Sequence, residues 1–484
     1  MTFATPNLVP AYPEIFLLGA LSALLIADLF ISESKRFLTY AYAQLALVGT
    51  AGFLLIGSLG QVVTTFNGSF VDDPMARTLK MISVLTVSFV FAYSRDYIQS
   101  RGLFKGEFFV LILFALLGVM VMISANHFLV LYLGLELLSL SLAALIALQR
   151  DSAVATEAAM KYFVLAALAS GMLLYGLSMI YGATGSLQMA EVANAIAQGN
   201  ADPGILVLGL VFMVAGLSFK LGVVPFHMWV PDVYEGAPTA VTLFVSTAPK
   251  LAGFAFFMRL LAGAMGPMVA DWQSMLIIVS VLSLLVGNVT AIAQTNLKRM
   301  LAYSTIAHMG FLLLGILSGT LGGYAAAMFY AVTYVLMSLA AFGLILLMSR
   351  EGFEADQLND LKGLNKRSPW YAFLMLLIMI SMAGIPVSAG FFAKLAVLSA
   401  VLDAGLTWLV VVAVLLSLIG AFYYLRIIKL MYMDEPETTD IPITGESDHR
   451  LLLSINALTL LALGIMPQPL IDLCTASIAQ SLRG

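Results

Sequence analysis

Seven ionisable side chains stand inside long apolar runs: Glu136, Lys161, Lys220, Lys250, Lys298, His308 and Lys394. An acid, five amines and an imidazole in such surroundings share one chemistry, the uptake and release of a proton. Burial disfavours the charged form of each, and a nearby opposite charge restores it. A lysine held close to that balance loads and unloads a proton at modest cost. A row of such groups forms a lateral polar chain, with Tyr303, Ser304, Thr305, Tyr334 and Ser388 positioned to hold bridging waters. The single cysteine, Cys474, and the lack of any Cys or His ligand cluster leave no haem, iron–sulfur or zinc site to argue. No glycine-rich phosphate loop lies in a strand-to-helix setting, so nucleotide and flavin binding are not expected.

The competing explanation for these groups is structural, namely buried ion pairs that fix helix packing. Such pairs at best roughly break even in energy, and apolar contacts would serve as well. Near the midplane that favours a functional reading for Glu136, Lys220, Lys250 and Lys394. Lys161 and Lys298 stand toward one membrane face and are weaker candidates; Lys298, followed by Arg299, has the pattern of an interfacial flank. His227, inside a proline-rich turn, reads as structural.

The elements that must position these groups are membrane helices. Sixty-one per cent of the 484 residues are hydrophobic, 10% are charged, and the mean hydropathy is +1.00. These values belong to a polytopic membrane protein. The net charge of −4 is spread over short connections, which offers no basic patch for nucleic acid. With about 20 apolar residues per crossing, an all-α fold of about fourteen transmembrane helices is expected at 12–31, 39–60, 75–94, 107–124, 127–149, 156–182, 204–229, 238–262, 272–294, 297–318, 321–349, 369–402, 406–432 and 450–468. Helix five begins near His127, which sets Glu136 roughly 14 Å into a hydrocarbon layer of about 30 Å. Pro225 and Pro231 break helix seven just after Lys220, and Gly384, Pro386 and Gly390 break helix twelve just before Lys394. Broken helices with ionisable groups beside them mark places where something polar passes.

One set of loops carries Lys35, Arg36, Arg95, Arg101, Lys105, Arg150, Arg350, Lys362, Lys366, Arg367 and Arg450, and the alternate loops carry almost none. The positive-inside rule makes the first set cytoplasmic and puts both termini on the outer face, with Arg77, Lys80, Arg259 and Arg483 as exceptions. The acidic stretch 433–450 is then a cytoplasmic connection. Pro225 and Pro386 are 161 residues apart, and Glu136 and Lys298 are 162 apart. These offsets suggest two inverted five-helix repeats, helices four to eight (107–262) and nine to thirteen (272–432). Three helices within 1–106 precede them, and helix fourteen with a tail (450–484) follows, in one transmembrane domain of 1–484.

Four segments carry a family resemblance: Tyr-Leu-Gly-Leu-Glu-Leu-Leu-Ser around Glu136; Pro-Phe-His-Met-Trp-Val-Pro-Asp-Val-Tyr-Glu-Gly-Ala-Pro-Thr from Pro225; Ala-Pro-Lys-Leu-Ala-Gly around Lys250; and Gln-Thr-Asn-Leu-Lys-Arg-Met-Leu-Ala-Tyr-Ser-Thr-Ile-Ala-His-Met-Gly from Gln294. Together they resemble the antiporter-like membrane subunits of proton-pumping NADH:quinone oxidoreductase, respiratory complex I. The same set occurs in cation/proton antiporter complexes and membrane-bound hydrogenases. Three details resemble the N-type branch: no long lateral helix after helix fourteen, a lysine at 394 where the M-type has glutamate, and the ending Gly-Ile-Met-Pro-Gln-Pro-Leu from Gly464. The resemblance implies a Glu136–Lys220 coupling pair, Lys250 as connecting lysine and Lys394 as exit-side lysine. It also implies a bacterial inner membrane, with an M-type subunit on one side and small K/J-type subunits on the other. Flavin, iron–sulfur clusters and quinone would reside in other subunits, with no cofactor in this chain. The alternative is a subunit of a multi-subunit cation/proton antiporter.

Overall fold

Backbone amides cannot stay unpaired in hydrocarbon, so runs as apolar as these close their hydrogen bonds internally as helices. A computed structural model describes residues 6–56, 61–199, 201–436 and 447–482. In chain order the elements are α1 (Tyr12–Asp28), α2 (Phe37–Ile56), an antiparallel hairpin of β1 (Val63–Thr65) and β2 (Phe70–Asp72), α3 (Pro74–Ser100), α4 (Gly106–Ser124), α5 (Phe128–Ile146), α6 (Ala153–Thr184), α7 (Met189–Ala197) and α8 (Pro203–Leu221). Then come α9 (Trp229–Gly236), α10 (Thr239–Val245), α11 (Ala248–Phe257), α12 (Val269–Ile292), α13 (Leu297–Leu317), α14 (Leu321–Met348) and α15 (Leu364–Arg367). The chain continues through α16 (Pro369–Ala383), α17 (Ala389–Asp403), α18 (Thr407–Tyr432), α19 (Ser447–Ile465) and α20 (Gln468–Ser481).

Among the described residues, 13 helical stretches are long and apolar enough to cross a membrane. The short helices α16 and α17 form the two arms of one further crossing, so the fourteen-helix expectation holds. The stretch from α10 through Ala264, together with α13 and α14, is almost wholly enclosed by the others. The outer helices α1, α2, α6 and α18 expose Leu25, Ile56, Leu168 and Leu418. Apolar residues outside and polar ones at the centre are what a lipid solvent selects.

Four features differ from expectation or were not expected. The expected continuous helix 238–262 is two helices, because Pro249 has no N–H to donate and its ring crowds the preceding turn. The chain breaks at Ser246 and Thr247 and restarts as α11 with Lys250 in its first turn. The expected tail after 468 contains the helix α20, tied to α3 by Met75 N–H donating to Ser481 Oγ at 3.0 Å. The connection 183–203 contains α7, and the hairpin between α2 and α3 had no strong period to announce it.

Three of the four charge exceptions are buried ion pairs rather than loop charges. Lys80 pairs with Glu14 at 2.5 Å, Arg259 with Asp73 at 2.6 Å, and Arg77 with Asp72. Arg483, and 437–446 of the acidic connection, lie outside the described residues.

Helix pairs α4/α5 and α12/α13 cross with the same close geometry. A methyl on Gly118 would lie 2.7 Å from the Leu138 amide nitrogen and 2.8 Å from the Gly134 oxygen; on Gly287 it would lie 2.8 Å from the Ala307 nitrogen and 2.8 Å from the Tyr303 oxygen. Small residues allow this backbone approach. The equivalent positions are 169 residues apart, which aligns Glu136 with Thr305. This spacing differs from the one that pairs Glu136 with Lys298: Lys298 lies one residue into α13 and Glu136 in the middle of α5.

Candidate functional site

A broken helix leaves its last carbonyls without intrahelical donors, and in this protein buried lysines fill those vacancies. Helix α8 ends where Gly222 takes φ 81, and Lys250 Nζ donates to the Leu221 carbonyl at 2.9 Å. Trp229 Nε1 donates to the Phe219 carbonyl at 2.9 Å, and its ring lies 5.4 Å under the Lys250 ammonium. Helix α16 ends the same way at Gly384, φ 79. There Lys394 Nζ donates to the Ala383 carbonyl at 2.8 Å and to Ser417 Oγ at 3.1 Å, over the Phe311 ring at 5.1 Å. Lys298 Nζ donates to the carbonyl of Ala237, the C-cap of α9, at 3.1 Å. Helix C-termini carry partial negative charge and so attract a cation. A carbonyl dipole holds the amine in place without locking its charge, as a carboxylate would.

Glu136 and Lys220 are joined less directly than expected. No ion pair connects them among the described residues. Lys220 Nζ donates to Ser139 Oγ at 3.1 Å, and Ser139 spends its own proton on the Leu135 carbonyl at 2.7 Å. A hydroxyl has one proton to give, so Ser139 is fixed as the acceptor for Lys220. Glu136 Oε1 accepts from Ser170, whose oxygen also lies 3.1 Å from Tyr132 Oη. Glu136 and Ser139 are one helical turn apart on α5, close enough for the carboxylate to act on Lys220 through space. Lys220 in turn acts on Lys250.

The second cluster surrounds His308 on α13. Its Nδ1 is 2.7 Å from Tyr330 Oη and its Nε2 3.1 Å from Tyr424 Oη; Tyr424 is 2.5 Å from Ser304 Oγ. A cavity of about 10 Å³ is lined by His308, Lys394, Asn288, Ser417, Tyr423 and Tyr424 among others, close to the room one water needs. Beside the second cluster, Tyr234 of α9 faces Thr305 and Tyr334, whose hydroxyls are 2.8 Å apart, and the Tyr334 ring lies 5.4 Å from that of His308. The structure thus brings Glu136, Lys220 and Lys250 into one group and His308 and Lys394 into another.

Two weaker candidates separate. Lys298 is buried, with 3% of its side chain exposed, so it is not an interfacial flank. Lys161 is 46% exposed and pairs with Glu157 at 2.8 Å and Asp232 at 2.9 Å; Asp232 is shared with Arg299 at 3.0 Å. His227 is partly exposed at the break, and among the described residues its Nδ1 has no hydrogen-bond partner.

Sequence reasoning missed Ser139, Ser170, Ser417, Tyr330, Tyr424 and Glu354. Small hydroxyls and tyrosines in apolar runs carry no periodic signal of their own. Glu354, in the connection after α14, accepts from Tyr97 Oη at 2.6 Å and Thr239 Oγ1 at 2.5 Å, pairs with Arg101, and lies 3.9 Å from Lys298. Burial alone would push its carboxyl up, but Lys298, Thr239, Tyr97 and Arg101 outweigh that and hold it below the usual 4.5. Among the described residues no group of three or more His, Cys, Asp or Glu is placed to hold a metal ion.

Residues 125–420 match the family described as NADH:quinone oxidoreductase/Mrp antiporter, TM. The NADH-quinone oxidoreductase subunit N of Nitrosomonas europaea is 59% identical over 482 residues, covering 100% of both chains. That of Thiobacillus denitrificans is 59% identical over 99% of each. The chain belongs to the NADH-quinone oxidoreductase subunit N family. A chain of respiratory complex I from Thermus thermophilus superposes with a TM-score of 0.83 at 31% identity, over 96% of this chain and 100% of that one. A chain of the Mrp complex from Dietzia sp. DQ12-45-1b gives 0.80 at 22% identity over 98% of each, a likeness of fold. The subunit N family therefore shares its helical architecture with Mrp-type antiporters, as the four sequence segments anticipated.

Proposed function

We propose that this chain is the N-type membrane-arm subunit of a proton-translocating NADH:quinone oxidoreductase, and that it moves protons without redox chemistry of its own. The observation that carries the reading is the placement of Lys250 and Lys394 on the carbonyl ends of two broken helices, each beside a second titratable group. Glu136 and Lys220, linked through Ser139, act as the coupling pair. A change of charge or hydration beside α5, driven by quinone reduction elsewhere in the complex, alters the hold of Glu136 on Lys220. Lys220 then favours release of its proton toward Lys250. The hydroxyls of Tyr234, Tyr334 and Thr305 lead on to His308, and Lys394 is the last lysine before the opposite side. Moving one charge against 100 mV requires about 2.3 kcal/mol, so the driving energy comes from outside this chain.

The recurrent crossing at Gly118 and Gly287 supports two five-helix repeats. Each has an odd number of crossings, so the second enters from the opposite side. On that basis, and from the distribution of lysine and arginine, the Lys298 end is cytoplasmic and both termini lie outside. Lys161 sits at the rim as an ion-pair partner of Asp232 rather than in the path. The 59% identity to chains named subunit N favours this reading over a free antiporter. Blue-native electrophoresis with NADH-dehydrogenase staining tests the assignment: this chain should comigrate with that activity, and migration apart from it would refute the assignment.

A further inference from the structure

Lys298 is almost fully enclosed, so a proton that enters or leaves it must pass through a neighbour. The described acids around it are Glu354, Asp356 and Glu235. Asp356 Oδ2 is engaged by Asn296 Nδ2 at 2.8 Å, and Glu235 by Arg299 at 2.7 Å. Glu354 alone among the described acids comes within 4 Å of the Lys298 nitrogen, and 28% of its side chain is exposed. It is therefore both partly open to solvent and near the buried amine. The groups facing it are Tyr97 and Arg101 from the end of α3, Thr239 from the start of α10, and Lys298 from α13.

The same carboxylate is tied to the joint between α9 and α10. Thr239 N–H donates to Tyr97 Oη at 3.0 Å, and Tyr97 donates on to Glu354. The Ala237 carbonyl, on the other side of Pro238, takes its hydrogen bond from Lys298. Both ends of the joint that leads into α10, the helix before the one bearing Lys250, are thus tied to the Lys298–Glu354 pair.

We propose that Glu354 is the proton-loading group of this subunit, taking protons from the lysine- and arginine-rich side and handing them to Lys298. In the step, the carboxylate accepts a proton from water and becomes an acid; its O–H then donates to the neutral Lys298 amine, giving the ammonium and regenerating the carboxylate. The 3.9 Å separation is one bridging water or one side-chain rotation beyond direct contact. Arg101 and the hydroxyls of Tyr97 and Thr239 hold the carboxylate in position and return it to the charged form after each transfer. The inference rests on the proton-relay reading above and extends it to the point of entry.

The test uses the assembled complex in inside-out membrane vesicles, with NADH:quinone turnover measured in the presence of an uncoupler. Glu354→Gln keeps the acceptor oxygen and removes the titratable group. Transfer at this step should slow by about a hundredfold, the usual worth of a positioned proton-transfer group, and turnover should fall with it. Added formate, a small diffusible carboxylic acid, should restore turnover relative to wild type under the same conditions. Glu354→Asp keeps a titratable carboxylate at this position and should retain turnover well above that of Glu354→Gln. Normal turnover in Glu354→Gln would overturn the proposal. So would equal loss in Glu354→Gln and Glu354→Asp with no rescue by formate, which would make the cluster a clamp. Lys220→Met separates the two levels of inference: if it too turns over and pumps normally, the relay itself fails, and if it alone is impaired, only Glu354 is misassigned.

Discussion

Replacing Ser139 with alanine removes the one side chain among the described residues to which Lys220 donates. The lysine is 7% exposed, and its hydrogen bond to Ser139 Oγ is 3.1 Å long. Hydrogen bonds to charged groups are worth about 1.5–3 kcal/mol. At about 1.4 kcal/mol per factor of ten, Ser139→Ala should lower the population of correctly docked Lys220 by roughly ten- to a hundredfold. The helix itself should hardly notice, because the lost bond to the Leu135 carbonyl is local and alanine favours helix. The assay is proton translocation by vesicles containing the assembled complex, with NADH oxidation by an artificial acceptor as the measure of intact peripheral chemistry. Pumping should fall severalfold or more while that chemistry persists, and Ser139→Thr, which keeps the hydroxyl, should retain pumping. Wild-type pumping in Ser139→Ala would refute the idea that the hydroxyl sets the Glu136–Lys220 link.

Other outcomes follow from the same geometry. Gly384→Ala puts a methyl 2.7 Å from Lys394 Cδ and forces a non-glycine residue to φ 79, at about 1–2 kcal/mol of strain; pumping should drop with assembly preserved, as read by vesicle acidification and native gels. Lys161→Met should leave the pumped-proton ratio unchanged, since this lysine lies at the exposed rim. Asp73 is buried, which alone would raise its carboxyl, but Arg259 outweighs that and holds it below the usual 3.8, as Glu354 is held below its own ordinary value. Depressed folded values mean the stabilisation is complete above the ordinary carboxyl range and is lost as pH falls through the folded values. Thermal stability of the complex should therefore decline on acidification, and Asp73→Asn should flatten that decline.

Much of this arrangement was legible in the sequence because charge inside hydrocarbon is costly and therefore rare. Glu136, Lys220, Lys250 and Lys394 stood out against apolar neighbours, and proline and glycine announced the breaks after Lys220 and before Lys394. The breaks' purpose was less legible. That each lysine would rest on a freed carbonyl depends on which helix crosses which, and single-chain spacing does not carry that. Pro249 was in plain view, yet an apolar run on both sides concealed the interruption before Lys250. Ser139 and Tyr330 are ordinary in apolar helices and gain meaning only from the lysine and the histidine they meet. The alignment of Glu136 with Lys298 followed one spacing, whereas the crossings at Gly118 and Gly287 support another. Glu354 sits in a short polar connection, where acids are common and nothing marks one as reaching a buried amine.

The most direct single measurement is the number of protons moved per NADH oxidised by vesicles whose complex carries Lys394→Met in this chain. The relay through the carbonyl-docked lysines predicts a ratio below wild type in a fully assembled complex. An unchanged ratio would mean that protons cross elsewhere and that these buried amines serve packing alone.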